Sequence, residues 1–170
     1  APLLAETKRQ FEGRTGARII EGYSLTEGMM ACIVNPVEGL QKLGSIGIPV
    51  SDVDARIVDA ERGEEPCDAG VVGELIMRAP NRMASYWNNP AETALTLRAH
   101  GDGEPWIHTG DLAYMDADGY VFIVDRKKDM MKVSGFQVWP REIEEVISAH
   151  PAVIEACVAG VPHAIKGEVA

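Results

Sequence analysis

Two polar segments carry the residue types that could bind a nucleotide sugar. Asp111 follows a Thr-Gly pair, and Arg126 ends the next apolar run. An ionised carboxylate can accept hydrogen bonds from both hydroxyls of a ribose diol. We predict that Asp111 lies in a tight turn allowed by Gly110 and that a hairpin returns Arg126 to the same sugar. The alternatives are a carboxylate that only caps its turn and an arginine that pairs with Asp125 or Asp129 on the surface.

The upstream segment 21–27 (Glu-Gly-Tyr-Ser-Leu-Thr-Glu) suits the remainder of a nucleotide. The ring of Tyr23, next to Gly22, could lie flat on a base, a stacking contact worth roughly 1–3 kcal/mol. The Thr26 hydroxyl can donate to a phosphate oxygen. Glu27 can bind Mg²⁺, which prefers one or two carboxylates together with phosphate oxygens and water. The alternative is an ordinary strand-to-helix turn capped by Thr or Ser, since short motifs often occur without function.

A lysine-rich segment follows Arg126. Lys128 stands in a charged turn between two apolar strands, so we predict a hinge whose backbone absorbs a large φ/ψ change. Lys132 could face a second anionic substrate, and Gly135 leaves room for a thin ligand arm. Taken alone, a lysine beside a Ser-Gly turn carries no special meaning.

Composition excludes several classes of function. The chain has 170 residues, of which 46% are hydrophobic and 25% charged, as in ordinary globular proteins. A formal net charge of −10 argues against a nucleic-acid surface, which needs clustered Lys and Arg. The apolar runs are too short to span a bilayer, no leader signals secretion, and three scattered cysteines suit a reducing compartment, so we expect a cytoplasmic location. The four histidines lack the spacing of a zinc site.

Short apolar runs separated by turn residues dominate the chain and predict strands. We expect strands at residues 17–22, 45–50, 55–59, 74–79, 112–115, 120–124 and 153–159. A polar hairpin loop over residues 61–70 and a tight turn over residues 116–119 would each connect two of them.

Three helices are expected around these strands. The first covers residues 2–12 and is ended by two glycines. The second begins at Asn89 as the N-cap, with Pro90 in its first turn. The third begins at Pro140 and ends near residue 150. Its apolar side, expected to face inward, contains Ile143, Val146 and Ile147.

In this order, the motifs resemble the adenylate-forming superfamily of acyl- and aryl-CoA ligases, luciferases and peptide-synthetase adenylation domains. The resemblance runs essentially from end to end through Tyr-x-x-Thr-Glu, Gly-Glu-Leu, Thr-Gly-Asp, Asp-Arg-Lys-Lys-Asp, Ser-Gly-Phe and Pro-Arg-Glu-Ile-Glu. The last three motifs are most similar to bacterial long-chain fatty acyl-CoA ligases. We interpret Gly73-Glu74-Leu75 as strand and turn structure only.

The resemblance implies a role for each candidate residue. Tyr23 would stack on adenine, with Glu21 and Gly22 lining the plane of the base, and the ribose would contact Asp111 and Arg126. Thr26 would contact the α-phosphate, and Glu27 would bind Mg²⁺. Lys128 would be the hinge, Lys132 would lie on the face presented for thioester formation, and Gly135 would border the pantetheine tunnel.

The resemblance also implies a mixed α/β fold. Residues 1–125 would form the C-terminal part of the large AMP-binding domain, with an α/β piece at 1–44 and a β-rich, barrel-like subdomain at 45–125. Residues 126–170 would begin a small, mobile α+β lid domain.

The implied activity is that of an AMP-forming ligase that uses ATP, Mg²⁺ and coenzyme A to activate a fatty acid. Its partners would be small molecules and not nucleic acid. Peripheral membrane association of the parent and its oligomeric state are left open. The alternatives are an aryl-CoA ligase, a peptide-synthetase adenylation domain, or a stand-alone nucleotide-binding module.

Two elements of the superfamily pattern are missing from the sequence: a Ser/Thr/Gly-rich phosphate loop and a lysine near the far C-terminus of the enzyme. We interpret Lys166, which precedes a strand, as a surface residue. We therefore expect an internal fragment of a longer enzyme, without ligase turnover of its own.

Overall fold

The computed structural model describes residues 3, 5–101 and 103–169. Their strands form three antiparallel sheets. The first sheet, in spatial order, consists of β1 (Gly22–Ser24), β2 (Ala31–Val34) and β3 (Ile48–Pro49). The central sheet contains β4 (Asp54–Val58), β5 (Gly73–Arg78), β6 (Leu97–Arg98), β7 (Trp106–Met115) and β8 (Val121–Arg126). The third sheet contains β9 (Met131–Val133), β10 (Phe136–Val138), β11 (Val161–His163) and β12 (Gly167–Val169).

The central sheet has the order β4-β5-β7-β6, and β8 pairs with the remaining length of β7. The helices are α1 (Ala5–Thr15), a 3-10 turn (Thr26–Gly28), α2 (Pro90–Thr96) and α3 (Pro140–Ser148). The predicted mixed α/β fold with a β-rich body is confirmed. In the described part of the chain, no helix combines the length and the apolarity that crossing a membrane requires.

The main core joins the first sheet to one face of the central sheet. Leu75 and Met77 of β5 pack here with Ile33 of β2, because alternate residues of a strand point to the same face. Ile76 points the other way and meets Trp106, which is fully buried. The guanidinium groups of Arg56 and Arg78 lie 4.2 and 4.8 Å from the Trp106 ring.

A short segment before β3 ties the two sheets together. The Ser45 hydroxyl donates to the Val121 carbonyl at 2.8 Å and accepts the Gly47 amide at 2.9 Å. The Val121 amide in turn donates to the Gly47 carbonyl at 2.9 Å. Gly47 adopts a φ of +102° here and lies against the backbone of β2. The first sheet, which carries residues 22–24, is thereby fixed to the strand that carries Arg126.

Predictions that depend on local signals are confirmed. The Asn89 side chain accepts the Glu92 amide at 3.2 Å, and Pro90 opens α2 as expected of a capped helix. Strands β4 and β5 flank the polar hairpin loop, and a turn at residues 116–119 joins β7 to β8. Helix α3 begins at Pro140.

Other predicted elements are wrong in position. Of the first helix, residues 2 and 4 lie outside the described residues, and α1 continues to Thr15 until Gly16, at a φ of +69°, ends it. The strand expected at 17–22 instead begins at Gly22. The one expected at 45–50 shortens to β3. Residues 153–159 form no strand, because the strands that extend the third sheet beyond β9 are β12 and β11, which are built from later residues.

The expected inward face of α3 is also wrong in part. Val146 and Ile147 are 76% and 40% exposed. Helix α3 packs on β8, and this contact leaves both side chains in solvent.

Candidate functional site

A cleft of about 760 Å³ lies between the 3-10 turn, α2 and the adjoining parts of β7 and β8. Its wall contains six of the residues that the sequence singled out: Tyr23, Thr26, Glu27, Asp111, Arg126 and Lys128. Glu21 and Gly22 line a neighbouring cleft of about 650 Å³, whose wall also contains Tyr23, Asp111 and Arg126. Of the described candidate residues, only Lys132 and Gly135 contribute to neither wall.

Asp111 lies on a bulge within β7 and not in a turn, which corrects the prediction. The register of β7 against β5 shifts between Glu74 and Ile76, so that β7 carries extra residues at 109–111. Gly110 adopts a φ of +71°, which favours glycine. The Thr109 hydroxyl donates to the Leu75 carbonyl at 2.7 Å and accepts the Asp111 amide at 3.0 Å. The bulge turns the Asp111 carboxylate towards β8, and the residue is only 8% exposed.

The carboxylate of Asp111 meets two partners from distant parts of the chain. Arg126 is its register partner on β8, and the Arg126 Nε lies 3.3 Å from Asp111 Oδ1. The Tyr23 hydroxyl donates to Asp111 Oδ2 at 2.5 Å. A carboxylate has about four acceptor sites, so these two contacts leave acceptor sites of Asp111 available for the two hydroxyls of a ribose. Burial, followed by the charge of Asp111, raises the pKa of the Tyr23 phenol well above its ordinary value. The phenol therefore stays a donor.

Glu27 has a partner that the sequence did not reveal. The Tyr86 hydroxyl donates to Glu27 Oε1, and the Glu27 carbonyl accepts the Met83 amide at 2.6 Å. Burial and the hydrogen bond to Glu27 raise the pKa of Tyr86, which keeps this hydroxyl protonated. A lone tyrosine 59 positions away carries no sequence signal for this contact. The result is a carboxylate held in one orientation at the wall of the cleft.

Glu27 fits a magnesium ion of the kind that binds with a nucleotide. Mg²⁺ takes one or two protein carboxylates and completes its shell with phosphate oxygens and water. Glu27 supplies one carboxylate, Glu92 is a second acidic residue of the same wall, and Thr26 adds a hydroxyl. The donor set consists of oxygen atoms only, which suits a hard cation.

Glu74 is the charged residue that sequence reasoning missed most completely. It was interpreted as part of a strand, and it does lie in β5, but it is 2% exposed and touches the cleft. Its carboxylate accepts the Gly110 amide at 3.2 Å and the Lys127 ammonium at 3.1 Å. His108 Nδ1 lies 3.4 Å from Oε1. The signal that could have found it is a glutamate directly followed by three apolar residues of the same strand, Leu75, Ile76 and Met77.

The surroundings of Glu74 determine its charge. Burial by itself raises the pKa of this carboxyl, but the nearby His108 ring and the Lys127 ammonium outweigh burial and lower the pKa from 4.5 to about 2. His108 continues the chain of contacts, with its Nε2 3.0 Å from His100 Nε2 in a stacked pair. Glu74 is therefore an anion at every pH at which the protein would normally work.

We expect Glu74→Gln to lower the free energy of unfolding at pH 7 by about 3 kcal/mol, from the depressed pKa. The folded pKa lies below the unfolded one, so this stabilisation is complete above the ordinary pKa of 4.5 and is lost as pH falls towards about 2. Urea unfolding of the parent protein and of the variant at a series of pH values measures the difference. Glu61→Gln, in an exposed loop, is the matched control. A constant difference across this pH range would contradict the prediction.

The remaining candidates lie in or beside the third sheet. Lys132 is an exposed residue of β9, and its amide donates to Glu168 Oε2 at 2.7 Å. Ser134 and Gly135, with φ values of 53° and 86°, form the two-residue turn between β9 and β10. Lys166 is exposed and precedes β12, as predicted. The structure thus gathers the nucleotide candidates in one place and leaves Lys132 and Gly135 apart from them.

Comparison with known proteins yields two family matches and close relatives. Residues 1–87 match the family model described as AMP-binding enzyme, and residues 142–170 match that of the AMP-binding enzyme C-terminal domain. A long-chain-fatty-acid–CoA ligase of Bacillus subtilis is 44% identical over 99% of this chain and 29% of its own length. A probable 4-coumarate–CoA ligase of Dictyostelium discoideum is 40% identical over 99% of this chain and 30% of its own.

A solved structure, ATP-bound MatB from Rhodopseudomonas palustris, matches 99% of this chain and 32% of its own at 39% identity, with a TM-score of 0.90. The chain thus spans about 30% of the length of these curated relatives. The family match covers more than half of the chain, and it agrees with the resemblance carried by the motifs. The chain belongs to the AMP-binding enzyme family.

Proposed function

We propose that this chain is part of an AMP-forming fatty acid–CoA ligase, which activates a carboxylate with ATP and transfers the acyl group to coenzyme A. The observation that carries the proposal is the meeting of Tyr23, Asp111 and Arg126 beside Glu27 at one cleft. A nucleoside triphosphate requires residues that bind its ribose and, beside them, a carboxylate that binds its magnesium ion. The 44% identity to a long-chain-fatty-acid–CoA ligase supports the fatty acid as substrate.

In the first half-reaction, a carboxylate oxygen of the fatty acid attacks the α-phosphorus of ATP, and pyrophosphate leaves. Asp111 holds the ribose hydroxyls, and Arg126 supports both the sugar and the Asp111 carboxylate. The Tyr23 ring lies against adenine, with Glu21 and Gly22 at its edge. Thr26 donates to an oxygen of the α-phosphate. Fixing the sugar orients the α-phosphorus for attack. These residues therefore accelerate the reaction by orienting the substrate and not by forming bonds to the reacting atoms.

Glu27 would hold Mg²⁺, whose charge would offset the repulsion between the fatty-acid carboxylate and the triphosphate. Tyr86 contributes by holding the Glu27 carboxylate in place before the nucleotide arrives.

In the second half-reaction, the thiol of coenzyme A attacks the acyl carbonyl and AMP leaves. The chain turns at Lys128, so that the small lobe presents the face carrying Lys132, and Gly135 leaves space for the pantetheine arm. Residues 1–125 belong to the large domain and residues 126–170 to the small one in this scheme. We place the protein in the cytoplasm, where ATP and coenzyme A are available.

A second candidate is an aryl-CoA ligase, which would use the same nucleotide site. The 40% identity to a probable 4-coumarate–CoA ligase favours this alternative specifically. The two candidates differ in the acyl pocket alone.

The test is ATP–pyrophosphate exchange by the full-length parent with carboxylates from acetate to octadecanoate, and with benzoate and cinnamate. We expect the largest kcat/KM with long-chain fatty acids. A maximum with cinnamate or benzoate would move the assignment to the aryl-CoA ligases, and no exchange with any carboxylate would reject an adenylating enzyme. The isolated 170-residue chain is expected to give no exchange above the blank, because its sequence contains no phosphate loop.

A further inference from the structure

Lys127 is attached to the central sheet by both its side chain and its backbone. Its ammonium donates to Glu74 Oε2 at 3.1 Å, and its amide donates to the Gly110 carbonyl at 2.8 Å. The Gly110 amide donates to the other oxygen of Glu74 at 3.2 Å. Glu74, Gly110 and Lys127 therefore form a closed triangle of hydrogen bonds, which we call the latch.

The latch lies between the parts of the proposed nucleotide site. Gly110 immediately precedes Asp111, and Lys127 immediately follows Arg126. Each half of the Asp111–Arg126 pair is thus joined covalently to a residue bound to Glu74. Arg126 itself has a side chain that is 62% exposed and one contact of 3.3 Å with Asp111. An arginine side chain this exposed holds its position against Asp111 poorly unless the backbone beneath it is fixed.

Lys127 is the last residue of the latch along the chain. Lys127 is bound at two points, whereas among the described residues none forms a hydrogen bond or ion pair with the side chain of the next residue, Lys128. The attachment of the strand to the body therefore stops one residue before the proposed hinge.

We propose that Lys127 is a positioning residue that, through Glu74, holds Asp111 and Arg126 at the separation the ribose needs and ends the rigid body immediately before Lys128. The proposal rests on the function proposed above. The side chain of Glu74 is 3% exposed and that of Lys127 37% exposed, so water screens this pair less than a surface ion pair. Loss of this charged hydrogen bond is expected to lower nucleotide affinity about tenfold.

The first experiment compares AMP binding by the full-length parent with that of Lys127→Met and Lys127→Arg, by calorimetry. Methionine keeps much of the length of the side chain without its charge, and we expect AMP affinity to fall about tenfold. Arginine can still donate to Glu74, and we expect it to stay within about threefold of the parent. Lys42→Met is the matched control, because it removes a lysine–carboxylate pair at the opposite end of the β7–β8 hairpin. It should bind AMP like the parent.

The second experiment follows amide hydrogen exchange at residues 110 and 127 in the unliganded proteins. We expect both amides to exchange about tenfold faster in Lys127→Met than in the parent or in Lys42→Met. Glu74→Gln combined with Lys127→Met should weaken AMP binding no more than the stronger single variant, since both act through one contact. This non-additivity distinguishes a shared latch from two separate structural losses.

Unchanged exchange, unchanged AMP affinity in folded Lys127→Met, or additive effects in the double variant would each overturn the latch. A parent that binds no AMP would reject the proposed function instead. In that case the exchange rates at residues 110 and 127, which need no ligand, still decide whether Lys127 fixes this part of the sheet.

Discussion

Replacing Asp111 with alanine should lower kcat/KM for ATP in the exchange reaction of the full-length parent by about 10²- to 10³-fold. The change removes a carboxylate that would accept two ribose hydroxyls, and hydrogen bonds to charged groups contribute about 1.5–3 kcal/mol each. It also removes the acceptor of the Tyr23 hydroxyl and the partner of Arg126. Initial rates at several ATP concentrations measure the effect.

Two variants separate these contributions. Asp111→Asn keeps one acceptor oxygen and should lose about tenfold less than alanine. Asp118→Ala removes an exposed carboxylate from the turn of the same hairpin and should leave the rate within about twofold of the parent. A folded Asp111→Ala protein with unchanged kcat/KM would contradict the assignment of the ribose to this residue.

Replacing Gly47 with alanine should lower the free energy of unfolding of the full-length protein by about 4 kcal/mol. This is the largest effect on stability that we expect from a single added methyl group. A Cβ at this position would lie 2.0 Å from the Val34 carbonyl carbon and 2.2 Å from the Asn35 amide nitrogen. The first atom belongs to the last residue of β2 and the second to the residue that follows β2. Neither atom can move without opening the first sheet. The φ of +102° adds strain for any residue with a side chain.

Gly44→Ala is the matched control for this effect. Gly44 also has a positive φ, of +79°, but a Cβ there would meet no atom within 4 Å. It should cost about 1 kcal/mol, from backbone strain alone. Urea unfolding midpoints and soluble yield compare the two variants with the parent. Equal losses in both would show that the close approach of Gly47 to β2 does not matter.

Sequence reasoning succeeded where a few adjacent residues determine the structure. The N-cap at Asn89 and the turn at 116–119 depend on side chains within four positions of one another. The bulge at 109–111 does not, because it arises from the way β7 pairs with β5 some 34 positions away along the chain. A Thr-Gly-Asp sequence therefore predicted the bend correctly but placed it in a turn.

The same limit explains the contacts that were missed. Glu74 and Lys127 are 53 positions apart, and the motif containing Lys127 was interpreted for Arg126 and Lys128 only. The strand expected at 153–159 fails for a related reason. A strand requires a partner with which to pair, and among the described residues the side of β9 that does not face β10 pairs with β12, which in turn pairs with β11.

The Tyr23–Asp111 hydrogen bond joins residues 88 positions apart, whereas the β7–β8 hairpin pairs residues close in sequence. Closing so long a loop costs entropy that only the assembled sheets can offset. We therefore expect the hairpin to fold early and the proposed nucleotide site to be among the last parts to form. Partly folded chains would then have most of their sheet and no affinity for AMP, so that the nucleotide stabilises the finished protein without guiding its folding.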